Sequence, residues 1–279
     1  MWRLLQSMDA DALDATLGAW FWKISGKKKA LAVDGKTLKG AVHEDGSPVQ
    51  LLSALLHGEG AFVVQRGIAA KTNEIPEVRN LLQDLDIQGT TVTADALHTQ
   101  RETAKFLIEE KKAHHLFTAV KGNQKSLRDE LTCLDWRNSP LQAETCDTAH
   151  GRLELRNIYV ATRTALDFPH LGQTFIIIRT TVHEKTGKER TESFFGMTSL
   201  SVAQAGPEEL LALTRGHWEI ENRCHHVRDT TFDEDRSQIR RRNGPRVMAT
   251  LRNFAMGLLR RAGWENIAEA TRQYAARSW

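Results

Sequence analysis

Short apolar runs separated by polar turns dominate the first half of the chain. Ala30-Leu31-Ala32-Val33 is a continuous apolar run that predicts a buried strand, closed by Asp34-Gly35. Val49 to Leu56 and Ala61 to Arg66 predict two more strands. The turns Glu44-Asp45-Gly46-Ser47-Pro48 and His57-Gly58-Glu59-Gly60 separate them and suggest an antiparallel meander. The pattern then changes to helical spacing. Asn73 is a good N-cap, Pro76 suits the first turn, and Ile75, Val78, Leu81, Leu82 and Leu85 share one face. Gly89 to Asp95 is β-rich and ends in an acid, a helix spans about Gln100 to Lys111, and His115 to Val120 forms a strand stopped by Lys121-Gly122-Asn123-Gln124. Upstream of all this, the first twenty residues predict a short helix with Leu13, Leu17 and Trp20 on its apolar stripe and a cap near Asp9.

From about Glu144 to Leu200 strands dominate: Leu153 to Val160, Thr174 to Thr180 and Glu192 to Met197, with turns at His170-Leu171-Gly172 and Lys185-Thr186-Gly187-Lys188. From Pro207 the chain is helical again, and Pro245 opens a final helix through Arg261. On a wheel of 100° per residue, Leu213, Ile220, Cys224, Val227 and Thr231 form a buried stripe. His217, Glu221, His225 and Asp229, four apart, form a polar stripe beside it. Glu221 thus sits at the margin of the packed face, while Glu219 points about 200° away from it on the same wheel.

Composition narrows the class without choosing a function. The chain has 279 residues, 41% hydrophobic and 26% charged, as expected of an ordinary globular protein of one large or two modest domains. No apolar run approaches the roughly 18 residues of a membrane helix, and three early aspartates argue against a secretory signal. Three cysteines without CxxC spacing argue against a disulfide framework or zinc ribbon and make a reducing cytoplasm the default. Net charge is only +3, yet from Arg236 onward there are ten arginines and two acids. Clustered arginine suits phosphate, although most basic helices are merely solvated.

Three acids stand out by setting: Asp34 and Asp95 at the ends of apolar strands, and Glu221 on its helix. Adjacent strand ends can bring two carboxylates close, an arrangement that is costly unless a divalent cation lies between them. Taken singly, an aspartate at a strand end is more often a turn or cap residue. The paired histidines His114-His115 and His225-His226 lack a four-ligand zinc spacing, so a hard-cation carboxylate site with histidines as positioning groups is the more economical reading. Lys71-Thr72-Asn73-Glu74, Lys121-Gly122-Asn123-Gln124 and His150-Gly151-Arg152 are polar boundaries able to meet phosphate or base, each weak alone.

In order, the pieces Ala32-Val33-Asp34-Gly35-Lys36, Lys71-Thr72-Asn73-Glu74-Ile75-Pro76, Val92-Thr93-Ala94-Asp95-Ala96, Lys121-Gly122-Asn123-Gln124, His150-Gly151-Arg152-Leu153-Glu154 and His217-Trp218-Glu219-Ile220-Glu221-Asn222 form a pattern. His225, Asp229, Phe232, Glu234 and Asp235 follow. Between about Ala30 and Arg261 the chain resembles DDE transposases of bacterial insertion sequences, in the H-repeat-associated (ISAs-type) branch. The resemblance implies an α/β fold: an RNase H-like mixed sheet flanked by helices, with a β-rich insertion before the helix carrying the third acid. It divides the chain into a short helical segment (1–29), a first core part (30–143), the insertion (144–200) and a helical core part with a basic tail (201–279).

It further implies Asp34, Asp95 and Glu221 as catalytic, metal-binding acids for two Mg²⁺ ions, with Mn²⁺ as a substitute. Lys71, Asn73, Lys121, Asn123, Gln124, His150, Arg152, His217, Asn222, His225, Arg228, Arg240, Arg241 and Arg242 become candidate DNA contacts. Related transposases carry a Tyr and an Arg before the glutamate and a Lys after it; here Thr214, His217 and Arg228 stand in those places. The expected partners are double-stranded DNA (element ends and target) and a second copy on the DNA, with no membrane, in a cytoplasmic, nucleoid-associated setting. The N-terminal region is shorter than is usual for the family, which suggests a truncated copy. The alternative is therefore a truncated or domesticated DNA-binding protein without cleavage activity. A host nuclease of RNase H type would lack the β insertion.

Overall fold

The computed structural model describes residues 2–26, 30–43, 45–68, 74–118, 125–149, 151–162 and 166–276. The chain forms two units, one from Met1–Asp86 with Gly216–Trp279 and one from Ile87–Arg215.

In the first unit, α1 (Trp2–Ser7) and α2 (Ala10–Ile24) replace the single N-terminal helix expected. The break falls at Asp9, whose carboxylate accepts from the backbone N–H of Asp11 and Ala12 as an N-cap. β1 (Ala30–Val42), β2 (Pro48–Leu56) and β3 (Phe62–Ile68) make the antiparallel meander that the apolar runs predict. One expectation is corrected. Asp34-Gly35 does not end β1: Asp34 pairs across from Ser53, and the ladder runs on past Lys36↔Leu51 to Leu38↔Val49. The apolar run stops at Asp34 because burial stops there, and the backbone pairing does not need it. α3 (Glu74–Leu82) follows the meander.

Alternation along β1 puts Ala32, Asp34 and Lys36 on one face. Ala32 packs with Leu55, Phe62, Ile220, Cys224, Met256 and Ile267 in a buried cluster. That cluster seats the returning segment on the meander. The segment comprises a π-helical turn at Ile220–His225, α7 (His226–Thr230), α8 (Gly244–Arg261) and α9 (Ile267–Ala276). Burial of side chains such as Ile220 and Phe62 contributes about 1.5–3 kcal/mol each. α2 lies directly against β3: a Cβ at Gly18 would stand 2.1 Å from the carbonyl oxygen of Val63, so only glycine permits that approach.

The second unit holds a six-stranded sheet. β4 (Thr91–Ala94) and β5 (His114–Phe117) are parallel, β9 (Glu189–Thr198) is antiparallel to β5, and β8 (Gln173–His183), β7 (Arg152–Ala161) and β6 (Leu141–Ala149) continue antiparallel. α4 (Arg101–Lys105), extended by a π turn at Phe106–Glu110, and α5 (Lys125–Thr132) contribute Ala104, Leu127 and Leu131 to a core with Ala94, Phe117, Phe168 and Met197. α6 (Pro207–His217) leads out of this unit. Mixed strands with flanking helices are the α/β class expected of an RNase H-like core. α5, β6 and α9 were not anticipated.

Candidate metal centre

Within the first unit, β1 and the π turn bring three potential ligands together. Atoms of Asp34, Glu221 and His225 all lie within 4.8 Å of one another. His225 Nδ1 is 2.9 Å from Glu221 Oε2 and 3.6 Å from Asp34 Oδ2. The π turn carries this pair: the His226 N–H donates to the Glu221 carbonyl, inserting one residue into the helical repeat. Such turns are frequent at functional sites. Asp34 is half-buried, Glu221 is exposed and His225 is buried, so the carboxylates are open on one side and backed by the ring.

The electrostatics follow from this geometry. The hydrogen bond from His225 holds the Glu221 carboxyl below the usual glutamate range, against the opposing effect of burial. Burial pushes the His225 imidazole down, opposed by its bond to Glu221. Lys36 sits on the same face of β1, its ammonium 2.8 Å from both carboxylate oxygens of Asp229. The lysine is thus anchored on α7, and its charge lowers Glu221 further. An octahedral divalent cation with oxygen ligands at about 2.1 Å sets neighbouring donors about 3 Å apart and opposite ones about 4.2 Å apart. Asp34 and Glu221 offer carboxylate oxygens within 4.8 Å of each other, the ligand type that hard divalent cations take.

Glu219, two residues from Glu221, is committed elsewhere. It accepts from the Gly58 N–H at 2.8 Å and faces Arg223 at 3.5 Å. The third sequence-predicted acid, Asp95, lies in the second unit. It follows β4 directly and caps the turn Ala96–His98 by accepting from the Leu97 N–H at 2.9 Å.

The candidate DNA contacts divide sharply. Arg240, Arg241 and Arg242 are exposed in the loop before α8, and Arg152 and Asn222 are exposed as well. Arg228 is fully buried: its guanidinium holds Glu234 at 2.7 and 2.9 Å and donates to Asn253 at 3.4 Å. It braces the fold and does not face a phosphate. His217 and His225 are likewise buried, at 3% and 2% exposure, and neither presents a ring to solvent. Beside His217, a Cβ at Gly216 would stand 2.2 Å from the His57 ring, and burial pushes His57 down to about 3 with a smaller push from His217. Lys71, Asn73, Lys121, Asn123, Gln124 and His150 lie outside the described residues.

Sequence reasoning also left the end of the last motif without a job. Asp229 anchors Lys36, Phe232 packs on the core cluster, Glu234 joins Arg228 and Arg252, and Asp235 meets Lys39 at 3.2 Å. These residues tie the segment after the π turn to itself and to β1. The signal for Lys36 was present in its i+2 spacing from Asp34 on a strand; for Arg228 and Glu234 no local signal exists.

The sequence profile of the family described as Transposase DDE domain matches residues 25–258, most of the chain. The chain belongs to the DDE-domain transposases. It is 29% identical to "Putative transposase YncI" of Escherichia coli O157:H7 over 82% of this chain and 61% of that protein. It is 28% identical to "H repeat-associated putative transposase YhhI" of Escherichia coli K12 over 84% of this chain and 65% of that protein. The H-repeat-associated resemblance carried by the ordered motifs is thereby borne out. The chain spans about three fifths of the length of these relatives. Among solved structures, a piggyBac transposase synaptic complex with hairpin DNA is a loose likeness, with a TM-score of 0.41 and 10% identity over 88% of this chain and 56% of that one. No helix among the described residues is long and apolar enough to cross a membrane.

Proposed function

We propose that this DDE-domain chain catalyses metal-dependent DNA strand cleavage and strand transfer, with Asp34, Asp95 and Glu221 as its acids. The observation that carries the reading is the meeting of Asp34 and Glu221, distant in sequence, with a buried histidine behind them. Two Mg²⁺ ions, or Mn²⁺ in their place, would be held by these carboxylates and supply Lewis-acid activation of the phosphate and the attacking oxygen. In the reaction an oxygen of water or of a 3′-hydroxyl forms a new bond to phosphorus while the bridging P–O bond breaks. The chain's own contribution is to hold ionised carboxylates close together, which the lowered pKa of Glu221 favours at neutral pH. Arg240, Arg241 and Arg242 engage the DNA backbone, with Arg152 and Asn222 as further contacts. Double-stranded element ends and target DNA are the substrates, and two copies act together on them.

Replacing Asp95→Asn tests the triad. The expected result is loss of strand cleavage by 10²-fold or more, the scale on which removing one charge-stabilising group acts, with DNA affinity nearly unchanged in a gel-shift assay. Loss of folding and of binding together would instead make Asp95 a structural cap of the Ala96–His98 turn. Salt-dependent DNA binding by the wild type, with no Mg²⁺-dependent nicking, would favour a DNA-binding protein that has lost its activity.

A further inference from the structure

We propose that His225 is a positioning residue that donates its Nδ1–H to Glu221, close beside Asp34, rather than a ligand of the metal. The inference rests on the reading of Asp34 and Glu221 as metal-binding acids. It assigns the third member of the cluster a different task from the other two.

The two ring nitrogens of His225 meet different surroundings. Nδ1 faces Glu221 Oε2 at 2.9 Å and Asp34 Oδ2 at 3.6 Å. A bare lone pair aimed at two carboxylates would be repelled by both, whereas an N–H there satisfies Glu221 and leans toward Asp34. Nε2 is buried and has no hydrogen-bond partner among the described residues. A buried N–H without an acceptor costs about 1–3 kcal/mol, so the proton belongs on Nδ1 and Nε2 keeps its lone pair. The ring cannot swing to exchange the two nitrogens freely. It is only 2% exposed and stacks on Phe62, with centroids 6.5 Å apart and planes at 16°. With the proton on Nδ1, the nitrogen nearest the acids has no lone pair left for a cation. The neutral donor instead fixes the Glu221 carboxylate beside Asp34 before any ion arrives.

Histidine-¹⁵N NMR of the full chain, with His225 assigned by its loss in His225→Asn, reads the tautomer directly. The expected spectrum has a protonated Nδ1 and a bare Nε2, and the pattern persists when Mg²⁺ is added. A bare Nδ1, or a proton lost from Nδ1 on adding Mg²⁺, would overturn the assignment. Mn²⁺ binding followed by electron paramagnetic resonance supplies a second readout. His225→Asn, whose amide N–H can stand near Nδ1, should bind Mn²⁺ within about threefold of wild type. His225→Leu should weaken it about 10–100-fold, as expected for an outer-sphere partner. Equal losses in the two variants, or full retention in His225→Leu, would contradict the positioning role. Unchanged Mn²⁺ binding in Asp34→Asn would sink the metal reading itself while leaving the tautomer result to stand.

Discussion

Glu219 and Glu221 are two residues apart and differ in what holds them. Glu219 is tied to the Gly58 backbone and to Arg223, whereas Glu221 meets His225 and Asp34. Glu221→Gln should therefore lower Mg²⁺-dependent cleavage by 10²-fold or more, while Glu219→Gln should leave it within about threefold and show up instead as a modest loss of thermal stability. The different placement of the two side chains was legible in the sequence, because helical spacing alone separates them. The roles of the arginines were not, since charge does not reveal partners. Asp14 makes the same point. It lies buried between Thr250, Gln65 and Arg246, and burial pushes its carboxyl up to about 6. An acid whose folded pKa is raised destabilises the fold as pH rises. The penalty is absent below about pH 4 and complete above about pH 6, and at one unit per 1.36 kcal/mol it approaches ~3 kcal/mol. Urea denaturation should show the stability of the wild type falling by that amount relative to Asp14→Asn across the interval. A difference between the two proteins that stays constant or changes in the opposite direction would contradict it.

The apolar strands of the meander and of the β-rich stretch were legible because each buries a face and so writes a run or an alternation into the chain. The elements that escaped bury little. α5 rests on Leu127 and Leu131 within an otherwise polar sequence, and β6 is an outer strand whose described side chains, from Gln142 on, are none of them buried. The π turn escaped because an inserted residue leaves no mark on a wheel drawn at constant pitch. Behind that turn, Arg228, Glu234, Arg252 and Asn253 form a buried brace that continues through Gln65 to Asp14 and Thr250. The brace joins α7, α8, β3 and α2, and so fixes the helix that presents Glu221. Glu234→Gln would leave two guanidinium groups facing a neutral amide in the interior. Breaking a buried pair costs about 3–5 kcal/mol, and a shift of that size in the urea midpoint is expected. A change below about 0.5 kcal/mol, typical of surface sites, would mean the brace is dispensable.

Charge across the whole chain is less one-sided than its last stretch suggests. Of the ten arginines after Asp235, Arg246 is spent on Asp11, Arg252 on Glu234, and Arg260 on the Arg223 carbonyl. Arg240, Arg241 and Arg242 remain exposed side by side. If these three meet phosphates, replacing all three by alanine should reduce the slope of log affinity against log salt by up to about 3, at ~0.9 per phosphate. An unchanged slope would move the DNA path elsewhere. Chemistry at Asp34 and Glu221 is central to the proposed function, and a single assay reaches it: strand cleavage of element-end DNA by the purified chain, with and without Mg²⁺, for wild type and Asp34→Asn. Nicking by the wild type should require the ion and vanish in the variant while DNA binding persists. Nicking that survives in Asp34→Asn, or proceeds equally well without Mg²⁺, would contradict it.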